Sequence, residues 1–535
     1  MRTMRVAVVA ILVAGGCAPA VDSPSTALER STPEAEGVVS QGIEAFLDGV
    51  AESGQEVHSF MLLRHGKVVA EGWWRPYGPE LRHLLYSASK SITSLGVGMA
   101  ADASLLTLDD RVVSFFPDLV TDSVSPLMRE LTVRDLLSMS VGQEQDPSGT
   151  AMRGDQDWRR VFLHTPPVHE PGSVFLYNNL ATFMLSAIVQ EVTGEMLFDY
   201  LQPRLFEPLA IENITWDYNR EGITLGMIGA RLRTEDLAKI GQLLLQKGEW
   251  NGEQLVSGAY IDDASAFHIT NNNAGVPADS ANDGQMGYGY QLWRGRHNSF
   301  RMDGLGGQFV IVLPDREAVV VLTSNAQSAQ VEMDLVWEHL VPAMGDEALP
   351  SDPEANARLE AKLAALEVAP ASGADDLAFF GDAVSGRRFE LEENPRGLQA
   401  VTFDIQGEGC VVTLDREEGS RTLEAGLGVW RHAELESTSL AGGAPGGFGY
   451  QRSSNAVGAD TLQATVAALS CGMPDEDTFE LTARFVEDNL GGETWTADFE
   501  PGADSETGVA ITTGGRGGRG GPPPVLRGRA EAAVR

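Results

Sequence analysis

Apolar and polar positions give this chain two textures that meet near residue 350. Up to about residue 345, stretches with helical periodicity alternate with short, wholly apolar runs. A helix is predicted over about residues 41–51, followed by a hairpin in which HSFMLLR and VVAEGWW flank a turn at His65-Gly66-Lys67. Further helices are predicted at TVRDLLSMS, where Thr132 and Asp135 have the spacing of a capping box, at LATFMLSAIVQEVTG, and at TEDLAKIGQLLL with Thr234 as N-cap. QFVIVL and AVVVLTSN, separated by Pro314-Asp315-Arg316, read as strands covered on both faces. Strands from both ends of one segment, with helices between them, predict an α/β sandwich.

Beyond that point the pattern changes. Residues 346–372 contain an Ala/Glu/Leu-rich stretch that reads as a helical linker. Between 373 and 513, two-residue alternation recurs in VTFDI, FELTARF and TWTADF between Gly/Asp turns, which predicts an all-β domain, either a barrel or a sandwich. Residues 514–535 include GGRGGRGGPPPVLRGR and read as a low-complexity tail with no packed core.

Composition sharpens the picture in three places. At 535 residues the chain exceeds one ordinary core, so at least two domains are expected. Arg2 and Arg5 precede VAVVAILVA and small residues up to Cys17, the layout of a secretory signal too short to span a bilayer. Ala14-Gly15-Gly16-Cys17 resembles a bacterial lipoprotein box, with Ala14 where that pattern prefers Leu. Cys17 is therefore a candidate lipidation site, residues 18–37 a flexible tether, and the destination the cell envelope. Ordinary cleavage and secretion is the alternative. The 76 acidic residues against 39 Lys plus Arg give a net charge of −37, which disfavours nucleic acid as a partner. Cys410 and Cys471 either pair in an oxidising compartment or remain free thiols. No CxxC, HExxH or Walker pattern occurs, so neither metal nor nucleotide chemistry has support in motif form.

Candidate chemistry starts at Ser87-Ala88-Ser89-Lys90. Residues three apart share a helix face, so a desolvated Lys90 amine can take the Ser87 proton as its oxygen attacks a carbonyl. The chain has only five lysines, and no other has Ser three residues upstream. Tyr177, in PGSVFLYNN, is a candidate proton relay; a phenol beside an ammonium ion is expected to shift toward phenolate. Asn179 offers an amide to orient Lys90 or hold a substrate carbonyl. In Asp303-Gly304-Leu305-Gly306-Gly307-Gln308, clustered glycines permit close approach to a ligand. Gly306, Gly307 and the backbone N–H near Gln308 are therefore candidate oxyanion contacts together with the N–H of Ser87.

In this order and at these separations, the three motifs resemble the serine hydrolase family of class C β-lactamases, DD-peptidases, EstB-type esterases and nylon-oligomer (6-aminohexanoate-dimer) hydrolases. The resemblance spans about residues 38–345 and includes LTLDDRVVSFFPDL, RLFEPLAIENITWD, RTEDLAKIGQLLLQKGEWNG and YGYQLW. It implies a β-lactamase/transpeptidase-like fold, Ser87 as nucleophile, Lys90 as base and Tyr177 as acid/base, with no cofactor. By the same resemblance Trp158 lies in a mobile cover over the site. Leu305 stands where β-lactamases and peptidases place Lys or His for the substrate carboxylate, which tilts the expected substrate toward neutral small esters or amides. Arg294, Arg296, His297 or Arg301 just upstream would be needed to replace that cation. Ser140-Val141-Gly142-Gln143 replaces the family's Thr-Ser-Gly-Leu in a loop not expected to touch the catalytic residues. The rival readings are a penicillin-binding protein, DD-peptidase or β-lactamase, and a non-catalytic envelope protein that uses the fold as a scaffold.

Overall fold

The computed structural model describes residues 27–272, 282–373, 378–435, 440, 451–454, 465–487, 492–501, 507–515 and 525–530. The predicted signal segment, Cys17 and the first part of the expected tether lie outside these residues; from residue 27 on, the stretch expected to be flexible is instead packed on the hydrolase domain, with the Ser31 N–H on the Val68 carbonyl at 2.9 Å and Arg30 paired with Glu71 and Glu235, each at 2.9 Å. Among the described residues no helix is long and apolar enough to cross a membrane.

The first hairpin forms from Val57–Arg64 and Lys67–Trp73, with His65 and Gly66 both at positive φ in the turn. It pairs through Val57–Arg64 with Ala318–Ser324, which continues to Gln308–Leu313, Phe300–Gly304 and Trp293–Arg294 in a six-stranded antiparallel sheet. The apolar runs are explained by cover on both faces. Phe60, Leu62, Phe309 and Ile311 face a layer built from the helices Ser40–Ser53, Ala329–Leu335 and Pro353–Ala364. Met61, Leu63, Val310 and Val312 face the larger helical body. Leu359 of the 346–372 segment belongs to the first layer, so this stretch packs onto the sheet as well as linking domains.

Thr132 and Asp135 make the expected capping box at the start of Val133–Leu137. Thr234 is instead the first residue of its helix, after Arg233, and its hydroxyl donates to Ser59 Oγ at 2.8 Å. At the centre runs Ser89–Asp102, buried from Ser89 to Ala100. A helix without a solvated face tolerates its small hydroxyls only if each is paired. Ser91 donates to the Gln291 carbonyl at 2.6 Å and Thr93 to the Gly226 carbonyl at 2.9 Å.

The C-terminal domain is a nine-stranded barrel, closed where Gly426 and Leu427 pair in parallel with Ser470 and Cys471. Its interior is packed, not hollow: the rings of Phe389, Phe403, Phe479 and Phe499 lie within 5.1–6.1 Å of neighbours in the set. Cys410 and Cys471 form a disulfide, with Cα atoms 6.3 Å apart. The expected low-complexity tail needs correction, because Val525–Ala530 pairs with both Thr507–Gly515 and Arg387–Leu391 and completes the ring. Leu526 and Ala530 point inward while Arg527 and Arg529 take exposed positions, an alternation hidden by the Gly/Pro/Arg-rich surroundings.

The two domains share a four-stranded sheet in the order Gln451–Ser454, Thr215–Tyr218, Arg231–Leu232, His83–Leu84. Its last strand leads directly into Ser87.

Candidate active site

Ser87 sits in the one-turn helix Tyr86–Ala88 that feeds Ser89–Asp102, and Tyr177 and Asn179 stand at the start of Asn179–Thr193, which packs against it. The structure brings all four candidates, Ser87, Lys90, Tyr177 and Asn179, together. Lys90 Nζ lies 2.9 Å from Ser87 Oγ, 2.9 Å from Asn179 Oδ1 and 2.8 Å from the Met227 carbonyl oxygen. It is 4.9 Å from the centre of the Tyr177 ring.

Burial decides the protonation states. Lys90 is 1% exposed, and desolvation pushes its ammonium down to about 7 despite the opposing pull of Asp146. A neutral amine has two N–H groups and one lone pair. Asn179 Oδ1 and the Met227 carbonyl can only accept, so they take the two hydrogens, and the lone pair is left for the Ser87 hydroxyl. Tyr177 moves opposite to the expected direction. Burial, with Asp303 and Asp146 nearby, raises its phenol, and the influence of Ser87 only partly opposes this. Near neutral pH Lys90 is thus the available base and Tyr177 a proton-carrying phenol.

Two residues absent from the sequence-based candidates complete this arrangement. Asp146 Oδ2 accepts from Asn179 Nδ2 at 2.8 Å, which fixes the Asn179 amide with its oxygen toward Lys90. Asp146 is itself held by Ser148, through the backbone N–H at 3.0 Å and the hydroxyl at 2.6 Å. The Met227 carbonyl belongs to the connection between Thr215–Tyr218 and Arg231–Leu232. The loop after LLSM, expected to stand clear, also reaches the site's frame: Gln143 Oε1 accepts from Asn178 Nδ2 at 2.7 Å.

The glycine-rich turn connects Phe300–Gly304 to Gln308–Leu313, and the Gly307 N–H donates to the Gly304 carbonyl at 3.2 Å. A Cβ on Gly304 would lie 2.2 Å from the Leu85 carbonyl oxygen, so only glycine lets this strand pass the turn that carries Ser87. Gln308 is misassigned as an oxyanion donor. Its strand lies inside the sheet, its backbone is paired with Gly304, and it is 1% exposed. Its side chain braces the turn from behind, donating to the Leu305 carbonyl at 3.0 Å and the Ser324 carbonyl at 2.6 Å. Gly306 and Gly307 take positive φ in the turn, whose outer corner is Leu305, 66% exposed. Trp158 does not cover the site: it opens the helix Trp158–Leu163, is buried, and packs 5.1 Å from the Phe183 ring.

A wall beside Tyr177 comes from Trp293, with ring centres 5.6 Å apart, and Tyr288, 5.1 Å further on. The arginines upstream of Leu305 are engaged elsewhere. Arg301 pairs with Asp303 at 2.9 Å, Arg296 with Asp283 at 2.7 Å and with Asp334, and Arg294 donates to the Ser265 carbonyl at 2.8 Å.

Fold and site together define a hydrolase of the β-lactamase/transpeptidase-like fold. The model of the beta-lactamase family matches residues 43–341, more than half the chain, and the protein belongs to that family. Its relatives include the 6-aminohexanoate-dimer hydrolase of Paenarthrobacter ureafaciens, 26% identical over 284 residues, covering 50% of this chain and 72% of that protein. The D-aminopeptidase of Gluconobacter oxydans (strain 621H) is 24% identical over 500 residues, covering 84% of this chain and 91% of the relative. Among solved structures, the octameric penicillin-binding protein homologue from Pyrococcus abyssi matches 91% of this chain and 99% of its own, at 16% identity and a TM-score of 0.45.

Proposed function

We propose that the protein is an exported serine hydrolase that cleaves ester or amide bonds through an acyl-enzyme on Ser87. Neutral Lys90 takes the Ser87 proton as Oγ adds to the carbonyl carbon. The tetrahedral oxyanion is received by the backbone N–H of Ser87 and an N–H of the glycine-rich turn that passes beside it. As the intermediate collapses, the Tyr177 hydroxyl protonates the leaving oxygen or nitrogen, and Tyr177 recovers a proton from Lys90. Water then enters, gives its proton back through the same groups and releases the acid.

The observation that carries this reading is the Lys90 environment: an amine held near neutrality by burial, both hydrogens committed, and a lone pair left for Ser87 Oγ at 2.9 Å. Exposed Leu305 and the commitment of Arg294, Arg296 and Arg301 favour neutral esters and amides over substrates with a carboxylate beside the scissile bond. The D-aminopeptidase match, which covers most of the chain, supports small amides as a substrate class to test alongside esters. The N-terminal signal pattern supports export, with Cys17 as the proposed site of lipid attachment. Incubating the protein with p-nitrophenyl esters and small amides tests the reaction: turnover should vanish in Ser87→Ala, and persistence at the wild-type rate would sink the assignment. A fluorescent penicillin that stably labelled Ser87 would favour the β-lactam-binding alternative.

A further inference from the structure

Among the described residues the barrel domain contributes none to the site described above, yet two of its links to the hydrolase domain reach the segment that leads into Ser87. Arg82 immediately precedes His83–Leu84 and stands five residues before Ser87. Its guanidinium pairs with Glu487 of the barrel through Nε at 2.9 Å and a terminal nitrogen at 2.7 Å, and its backbone N–H reaches the same carboxylate at 3.2 Å. Glu487 is 5% exposed and the Arg82 side chain 21%, which makes this a partly buried, two-pronged clasp. The next residue, His83, is held at 2.8 Å by His58 Nδ1. His58 Nε2 meets Glu56 at 3.1 Å, and Glu56 pairs with barrel Arg484 at 3.2 Å. The barrel-side strand Gln451–Ser454 also edges the small sheet that contains His83–Leu84.

The turn between this doubly held strand and the nucleophile is strained. Tyr86, directly before Ser87, has φ of 48°, a left-handed conformation unfavourable for an aromatic residue. Such a conformation persists only where the surroundings over-determine it. On the hydrolase side, the Leu85 N–H bonds the Ala230 carbonyl at 2.9 Å. The hydrolase domain also pairs His83 with Leu232 and Leu84 with Arg231, and the barrel adds a further restraint on this segment through Arg82 and His83. We propose that the barrel domain is a positioning element for the nucleophile, acting through the Glu487 clasp on Arg82 to hold the Arg82–Ser87 segment in its reactive geometry. This inference rests on the assignment of Ser87 as nucleophile.

The test uses the full chain and reads the rate at which a fluorophosphonate labels Ser87, normalised to titrated active sites, beside ester kinetics and thermal melting. Glu487→Ala and Arg82→Ala should each slow labelling by about 10- to 100-fold, the scale of a small nucleophile misplacement. kcat should fall with it while KM changes little. The double variant should be no slower than Arg82→Ala alone, because that variant already removes the clasp together with the Arg82 bond to the Asn213 carbonyl at 3.1 Å. Glu487→Gln keeps the shape of the side chain and its contacts with the barrel, and should still slow labelling. Folded variants that label at the wild-type rate per active site, even with lowered melting temperatures, would reduce the clasp to domain adhesion and overturn the proposal; so would losses that multiply in the double variant. Wild-type protein not labelled at Ser87 would overturn the hydrolase reading, and this inference with it.

Discussion

Asn179 donates through Nδ2 to Asp146 Oδ2 at 2.8 Å, and this single bond determines which end of the Asn179 amide meets Lys90. With the nitrogen committed, Oδ1 accepts from Lys90 Nζ at 2.9 Å. Asp146 also favours the ammonium form of Lys90 by its charge. Replacing Asp146 with Ala should therefore do two things. The freed amide loses a charge-assisted hydrogen bond worth about 1.5–3 kcal/mol, so kcat should fall by roughly 10- to 100-fold. The acidic limb of the pH–rate profile should shift to lower pH, because Lys90 loses a proton more readily without the carboxylate. An unchanged limb would mean that Asp146 does not act on Lys90.

The depressed Lys90 value has a signed consequence for both activity and stability. With the neutral amine as the proposed base, kcat/KM should rise with pH through about 7 and then level. Between about 7 and the usual lysine value near 10.5, the unfolded chain binds a proton at Lys90 that the folded protein does not. Stability from this group must therefore rise with pH across that window. Denaturant titrations of wild type and an inactive Lys90→Met variant at pH 7 and pH 10 should show the difference moving in favour of wild type at the higher pH.

Gly304 tests the close approach of the turn to the nucleophile. A methyl group 2.2 Å from the Leu85 carbonyl must push the strand edge and the Ser87 segment apart. Gly304→Ala should cost on the order of 100-fold in kcat, the scale expected when reacting groups shift by about an ångström. The packed sheet should retain its fold by circular dichroism.

Leu305 tests the substrate preference. Leu305→Lys places an ammonium at an exposed corner, where a substrate carboxylate can pair with it. KM for esters carrying a carboxylate near the scissile bond should drop about tenfold relative to neutral esters, equivalent to about 1.4 kcal/mol. An equal effect on both substrate types would show that this corner does not face the bound substrate.

The Cys410–Cys471 bond closes a loop across a sequence separation of 61 residues. Chain-entropy arguments assign such a link about 4 kcal/mol. A Cys410→Ala, Cys471→Ala variant should melt in two separated steps, with the barrel first, when followed by calorimetry.

The candidate site is legible in the sequence where its chemistry is local. Ser87 and Lys90 lie one helical turn apart, and Tyr177 and Asn179 share the entrance to one helix, so spacing alone groups each pair. The apolar strands and the barrel's alternation are legible because burial on two faces or one leaves a direct imprint on residue order. Asp146 and the Met227 carbonyl carry no such imprint: a loop carboxylate and a backbone oxygen acquire their roles only when distant segments meet. Gln308 is misassigned from sequence because strand order decides which edge is free, and the order places its strand between two partners. The direction of the Tyr177 shift is missed because proximity to a lysine is visible in the motifs and the burial that neutralises that lysine is not. Val525–Ala530 is hidden because only Leu526 among its inward positions is large and apolar, the other two being Gly528 and Ala530, too little alternation to announce a strand.

Acylation of Ser87 is tested most directly by intact-mass spectrometry of the protein mixed with a slowly deacylating ester, with peptide mapping of the adduct. One acyl group per chain is predicted, carried on Ser87, forming with an apparent pKa near 7 and absent from both Ser87→Ala and Lys90→Met. An adduct on another residue, or acylation of Ser87 that proceeds unchanged without Lys90, would contradict the Ser87–Lys90 mechanism.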